Sequence, residues 1–207
     1  MCGAFSILHP FRDVSARFNA GYNDSRENPR YNVRPAQPIP VILDSNPNEI
    51  IYSMWGIHPF YDKTHKMFFI NARNDSLLKP TWKRMLHEQR CLIPADGFYE
   101  CQKINTSKSK IPYRFELKDK GLFAFAGLWQ EEEYDGQKVP HCVIITTEPN
   151  KTVGEVHDRM PAMLSKADEQ TWLDPDADID QIQAFLRPYP DKAMHKYQVS
   201  TLVNSAK

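Results

Sequence analysis

The residue with the most specific chemistry is Cys2. Because cysteine is small, Met1 is expected to be removed, leaving Cys2 with a free α-amine and a thiol on neighbouring carbons. Their ordinary pKa values, about 7.7–8.0 and about 8.5, keep both partly nucleophilic near neutral pH. The amine condenses with an aldehyde to an imine, and the thiolate then closes on the imine carbon to give a thiazolidine ring. Position alone also fits a small apolar residue beginning a strand. Gly3 shifts the reading toward chemistry, because glycine lets a ligand approach the backbone closely.

Three other segments carry chemical side chains. Ile70-Asn71-Ala72-Arg73 follows an apolar run, so a strand ending there would present an amide and a cation at its rim. Asn71 can orient a reacting group and Arg73 can bind a phosphate, or they are a turn asparagine and a solvated arginine. In Cys91-Leu92-Ile93-Pro94-Ala95-Asp96-Gly97-Phe98-Tyr99-Glu100 an apolar run meets an Asp-Gly turn signal and returns through two aromatics to Glu100. A carboxylate beside aromatics can serve as general acid or base, and can equally be a strand-end partner for lysine. In Val156-His157-Asp158-Arg159-Met160-Pro161, His157 suits proton transfer near neutral pH, with Asp158 or Arg159 fixing it or binding phosphate. A lone histidine of this kind is more often structural.

These residues need elements to hold them. Short β-rich runs recur at Gly3 to Leu8, Pro40 to Leu43, Ile50 to Trp55, Met67 to Ile70, Tyr113 to Leu117, Leu122 to Trp129 and Cys142 to Thr146, with a weaker one at Tyr197 to Val199. The alternation of Tyr113, Phe115 and Leu117 with Arg114 and Glu116 predicts a half-buried strand. The almost wholly apolar Leu122 to Leu128 predicts a central one. Helices are expected at Arg12 to Asn19, at Leu77 to Gln89 with Pro80 in the first turn, at Asp168 to Leu173, and at Ile179 to Leu186 with Asp178 as N-cap. Gly21 to Pro38 reads as an ordered loop. The pattern is an α+β domain with a curved antiparallel sheet, barrel-like, flanked by short helices, and a single domain is expected over residues 1–207.

Bulk composition narrows the partners. Lys plus Arg and Asp plus Glu are 26 each, so any nucleic acid must bind a local basic patch on a neutral chain. No apolar run approaches a membrane span and no signal peptide is evident, so no membrane is expected and the default location is the cytosol or nucleus. Cys2, Cys91, Cys101 and Cys142 form no CxxC pair and should stay reduced. A zinc site at the adjacent His141 and Cys142 has poor geometry for a tetrahedron.

Taken in order, the segments resemble the SOS-response-associated peptidase (SRAP) or abasic-site-processing family. The resemblance runs from Met1-Cys2-Gly3 through Tyr31-Asn32-Val33-Arg34-Pro35, Trp55-Gly56-Ile57, Ile70-Asn71-Ala72-Arg73, Pro94 to Glu100, Ile145-Thr146-Thr147 and His157 to Pro161, to Val203-Asn204. It implies a barrel-like core with a groove for single-stranded DNA containing abasic sites, a monomer, and no metal or other cofactor. Cys2 would form a thiazolidine with the ring-opened sugar. Asn71 would position its amine, and Glu100 and His157 would assist ring opening, proton transfer and reversal. Pro35, Phe60 and Tyr61 would line the groove. Arg73 and Arg159 would hold phosphates, with Thr146 near the site. Ala4, Arg34 and Cys101 depart from the common pattern, and Arg34 is expected to supply the phosphate contact that Ala4 lacks.

Two rival readings use the same residues. An N-terminal-nucleophile amidohydrolase also begins Met-Cys-Gly, but needs an Asn-Gly oxyanion loop, and no Asn-Gly dipeptide occurs. A non-covalent single-strand-binding module would stack bases on Trp55, Phe60 and Tyr61.

Overall fold

A computed structural model describes residues 2–22, 29–103, 110–134 and 136–205. The first half runs β1 (Phe5–Ile7), α1 (Phe11–Phe18), β2 (Gly21–Tyr22), β3 (Arg30–Val33), β4 (Pro38–Leu43), β5 (Asn46–Trp55), β6 (Asn71–Arg73), α2 (Pro80–Glu88), β7 (Arg90–Ala95) and β8 (Gly97–Lys103). The second half runs β9 (Lys110–Leu117), β10 (Phe123–Tyr134), β11 (Gln137–Thr147), α3 (Lys151–Gly154), β12 (Met160–Pro161), β13 (Met163–Leu164), α4 (Glu169–Leu173), α5 (Ile179–Ala184) and β14 (Met194–Gln198). Short 3₁₀ turns include Thr201–Asn204.

The α+β class and barrel-like core stand as expected, with one addition. Strands β11, β10, β7, β4 and β5 pair antiparallel in that order. A parallel pairing of β5 with β11, Met54 opposite His141 and Trp55 opposite Cys142, then closes the ring. Closure leaves these strands without a free edge. A second sheet, ordered β14-β9-β8-β1-β3, packs on the barrel through Phe5 and Phe98, whose rings meet Trp55 and Phe125 at 5.1–6.2 Å. The apolar Leu122 to Leu128 does lie centrally, as β10 between β7 and β11. Pro80 opens α2, and Asp178 caps α5 by accepting from the Asp180 and Gln181 amides.

Several expectations are corrected. Arg114 and Glu116 on β9 are buried rather than solvated, because they pair with each other at 2.7 Å and Arg114 also holds Asp96 at 3.0 Å. Asp96-Gly97 is not a hairpin turn but the corner where the chain leaves the barrel for the second sheet. The buried Asp96 carboxylate accepts from Ser6 Oγ, the Leu8 amide and Arg114. Gly97 is needed there, since a Cβ would sit 2.5 Å from the Arg114 guanidinium carbon. Met67 to Ile70 is not a strand. The strand begins at Asn71 and runs parallel to β11. Within Gly21 to Pro38 the structure forms β2 and β3, while residues 23–28 lie outside the described residues. Helix α3, capped by Asn150, was not expected.

Buried Arg90 ties the helices to the barrel. Its guanidinium donates to the Leu86 and His87 carbonyls at the end of α2 and to the Trp172 and Asp174 carbonyls at the end of α4, at 2.6–2.7 Å. One cation thereby satisfies the orphan acceptors of two helix C-termini.

Candidate functional site

Cys2 leads into β1 and is fully buried. Its neighbours run beside β8, where the Tyr99 amide donates to the Ala4 carbonyl at 2.9 Å. Asn71, the first residue of β6, reaches across from the barrel and donates Nδ2 to the Cys2 carbonyl at 2.9 Å. Its Oδ1 is buried without a hydrogen-bond partner among the described residues. The site therefore sits at the seam between the two sheets, with one arm from each.

Glu100 projects from β8 and is also buried. His157, just beyond α3, places Nε2 3.9 Å from Glu100 Oε2. The Arg159 amide donates to His157 Nδ1 at 3.1 Å, which leaves the proton of the neutral ring on Nε2, facing Glu100. Asp158 Oδ1 also lies 3.0 Å from Nδ1, so an imidazolium would find a carboxylate there instead.

Burial dominates the electrostatics. It pushes the Cys2 thiol well above the ordinary range, and the nearby Glu100 charge pushes it the same way. Burial also raises Glu100, against the opposing charge of His157. A thiol held protonated beside a carboxylate with raised affinity for protons is a pair suited to passing a proton.

Above them opens a cleft of about 270 Å³ lined by Gly3, Ala4, Arg34, Tyr99, Glu100, Cys101, Lys103, Lys110, His157, Val203 and Asn204. Arg34 donates to the Val203 carbonyl and, at 3.5 Å, to that of Gly3. Asn32 Nδ2 holds the Val203 and Ser205 carbonyls at 3.0 and 2.9 Å, so the final 3₁₀ turn forms one wall. Lys103 and Lys110 were not singled out from sequence. Their signal was the lysine-rich composition around them, and Lys103 at the end of β8 faces Lys110 at the start of β9.

The structure brings Cys2, Asn71, Glu100, His157 and Arg34 together. It separates the others. Phe60 and Tyr61 are exposed, edge to face at 5.4 Å, on the segment between Ile57 and Phe69, and Phe60 lines a neighbouring cleft of about 660 Å³. Pro35 sits in the turn after β3, between Arg34 of the first cleft and Ala36 of a third. Arg73 is exposed and pairs with Asp75 at 2.5 Å. Arg159, expected to hold phosphate, is buried instead, its guanidinium on Glu148, Asn74 and the Thr146 carbonyl. Thr146 is fully buried and donates to the Ala72 carbonyl at 3.4 Å, bracing β6 against β11. Trp55, a stacking candidate in the non-covalent reading, is buried with its indole N–H on the Ile70 carbonyl at 2.9 Å.

Fold and site define a small β-barrel protein that seats Cys2, just before its first strand, beneath an open cleft, beside a carboxylate and an imidazole. The chain belongs to the SOS response associated peptidase (SRAP) family, whose sequence profile matches residues 1–206. It is 40% identical to abasic site processing protein YoqW of Bacillus subtilis over 215 residues, covering 100% of this chain and 96% of the relative. It is 29% identical to abasic site processing protein HMCES of Xenopus tropicalis, covering 86% of this chain and 63% of that protein. A crystal structure of a Bacteroides thetaiotaomicron protein superposes with a TM-score of 0.87 at 26% identity, covering 97% of this chain and 93% of that one.

Proposed function

We propose that this protein processes abasic sites in single-stranded DNA by capturing the lesion covalently through Cys2. The observation that carries the reading is the convergence on one residue: Asn71 grips the Cys2 carbonyl while Glu100 and His157 line the cleft beside it. The names of the relatives agree with an abasic lesion as the target.

Met1 lies outside the described residues, and its removal is part of the proposal. The freed Cys2 nitrogen attacks the aldehyde carbon of the ring-opened sugar, and water leaves to give the imine. Sulfur then adds to that carbon. The thiol proton leaves through Glu100, and the imine nitrogen gains one, so the ring closes without net gain or loss of protons. Burial disfavours a free thiolate, so thiol addition needs the base that Glu100 supplies. His157, its proton directed at Glu100, relays protons during sugar opening and during reversal.

Arg34, Lys103 and Lys110 supply the cationic rim for phosphates, with Arg73 further out. Phe60 and Tyr61 offer rings for bases flanking the lesion, at about 1–3 kcal/mol per stacked base. A peptidase activity is proposed only for release of Met1 by the same acid and base. The protein is proposed to act as a monomer.

The test is to mix purified protein with an oligonucleotide made abasic by uracil excision, followed by denaturing electrophoresis and intact mass. One protein should join one strand, with a mature chain beginning at Cys2. Cys2→Ala should abolish the denaturant-resistant adduct and leave binding of an intact strand in place. An adduct that persists in Cys2→Ala, or in a chain retaining Met1, overturns the proposal.

A further inference from the structure

The segment between Ile57 and Phe69 carries a second constellation, away from Cys2. Its base is closed by reciprocal backbone hydrogen bonds between Ile57 and Phe69, both 2.9 Å. Inside, the Asp62 carboxylate accepts from the Thr64 amide and hydroxyl and from the Met67 amide, at 2.6–3.0 Å. That turn folds His65 back, at φ +51°, until its ring stands 4.9 Å from that of His58. On the adjoining barrel strand, Glu132 Oε2 meets His58 Nδ1 at 2.8 Å.

His58, His65 and Glu132 thus present ligand atoms within 4.8 Å of one another, where two clefts of about 660 and 620 Å³ meet. We propose that this triad binds a first-row divalent cation, zinc by its ligand type, and that the ion clips the loop carrying Phe60 and Tyr61 to the barrel. Two imidazoles and one carboxylate with an open fourth position is an established zinc donor set. Tetrahedral ligands at about 2.0–2.2 Å from zinc stand roughly 3.4 Å apart, so the widest pair of the triad must close by up to about 1.4 Å while His58 Nδ1 and Glu132 Oε2, at 2.8 Å, part by about 0.6 Å. The exposed His65 ring can supply that movement. The ion replaces the proton shared by His58 Nδ1 and Glu132 Oε2, and that proton leaves to solvent.

A supporting shell is already in place. Glu132 Oε1 accepts from the His58 amide at 2.8 Å and from Gln130 Nε2 at 3.0 Å, which leaves Oε2 for the ion. Gln130 also holds the His58 carbonyl at 2.8 Å. Such outer partners orient ligands and tune affinity.

The experiment uses full-length Cys2→Ala protein, which removes the amino-terminal amine–thiol chelate and makes the result independent of lesion capture. Cobalt(II) titration should give one equivalent with the visible spectrum of a four- or five-coordinate ion, displaced by zinc. His65→Ala and Glu132→Gln should abolish that spectrum. Gln130→Leu should weaken affinity about 10–100-fold, and His87→Ala, an exposed histidine elsewhere, should not change it. Zinc should also slow tryptic cleavage after Lys63 and Lys66, both exposed in the loop, and should do so only when His65 is present. Absence of the spectrum, its survival in His65→Ala or Glu132→Gln, or tryptic rates indifferent to zinc overturns the proposal. Circular dichroism matching the parent protein separates ligand loss from misfolding.

Discussion

Asn71→Leu should separate capture from folding. The wild-type side chain makes one bond, to the Cys2 carbonyl, and buries an acceptor that has no partner among the described residues. Losing the bond costs about 0.5–1.5 kcal/mol, while relieving an unsatisfied buried acceptor returns about 1–3 kcal/mol. The two oppose each other, so the net change should lie between a loss of about 0.5 and a gain of about 2.5 kcal/mol. At about 2–4 °C per kcal/mol for a chain of this size, the melting temperature should fall by no more than roughly 2 °C and rise by no more than roughly 10 °C. Capture has no such compensation. Without the amide the Cys2 residue is free to drift, and a misplacement of about 1 Å costs on the order of 10²-fold. The assay is single-turnover adduct formation on an abasic oligonucleotide, read beside a calorimetric melt. Capture at the wild-type rate would refute the positioning argument, as would a loss of capture explained by an unfolded variant.

Three further outcomes are expected. Glu100→Gln should slow adduct formation by about 10²–10⁴-fold. Because burial raises Glu100, the folded protein holds its proton more tightly than the unfolded chain. Its contribution is therefore fully present below the unfolded value of about 4.3 and is lost as pH rises through the folded value. Urea melts at pH 7 should accordingly find Glu100→Gln more stable than wild type, and at low pH the difference should vanish. Gly56→Ala should cost about 1–3 kcal/mol, since Gly56 has φ +122° and a Cβ would lie 2.0 Å from the Phe68 ring. Displacing that ring should speed tryptic cleavage after Lys63 and Lys66. Arg90→Met strands four carbonyls, of which those of Leu86 and Trp172 are buried, and should cost at least about 2 kcal/mol, or roughly 4–8 °C of melting temperature by calorimetry.

Sequence reading succeeded where one residue type has one common use. The apolar Leu122 to Leu128 had to be a central strand, Pro80 had to open a helix, and Asp178 had to cap one. It failed where tertiary partners change a residue's meaning. Arg114 and Glu116 look like a solvent face until Asp96, ninety or so residues after Ser6 in the chain, is brought alongside them. Asp96-Gly97 reads as a turn because the donors to its buried carboxylate are not local. At the candidate site, Cys2, Asn71, Glu100 and His157 were named from sequence and lie together. The inward-facing Arg159 was not legible, because Glu148, Asn74 and Thr146 reach it only through the fold. The histidine pair of the loop was equally hidden, since Glu132 comes from a distant strand.

The hydrogen-bonded base at Ile57 and Phe69 makes the intervening residues a detachable cassette. Their order comes from Asp62 within the segment and, at its base, from the hydrogen bonds of His58 to Glu132 and Gln130 of the barrel. A different length or composition can be grafted between those two anchors without re-registering the barrel. The exposed surface that this segment presents can therefore diversify, in nature or by selection at the bench, while Cys2 keeps its seat.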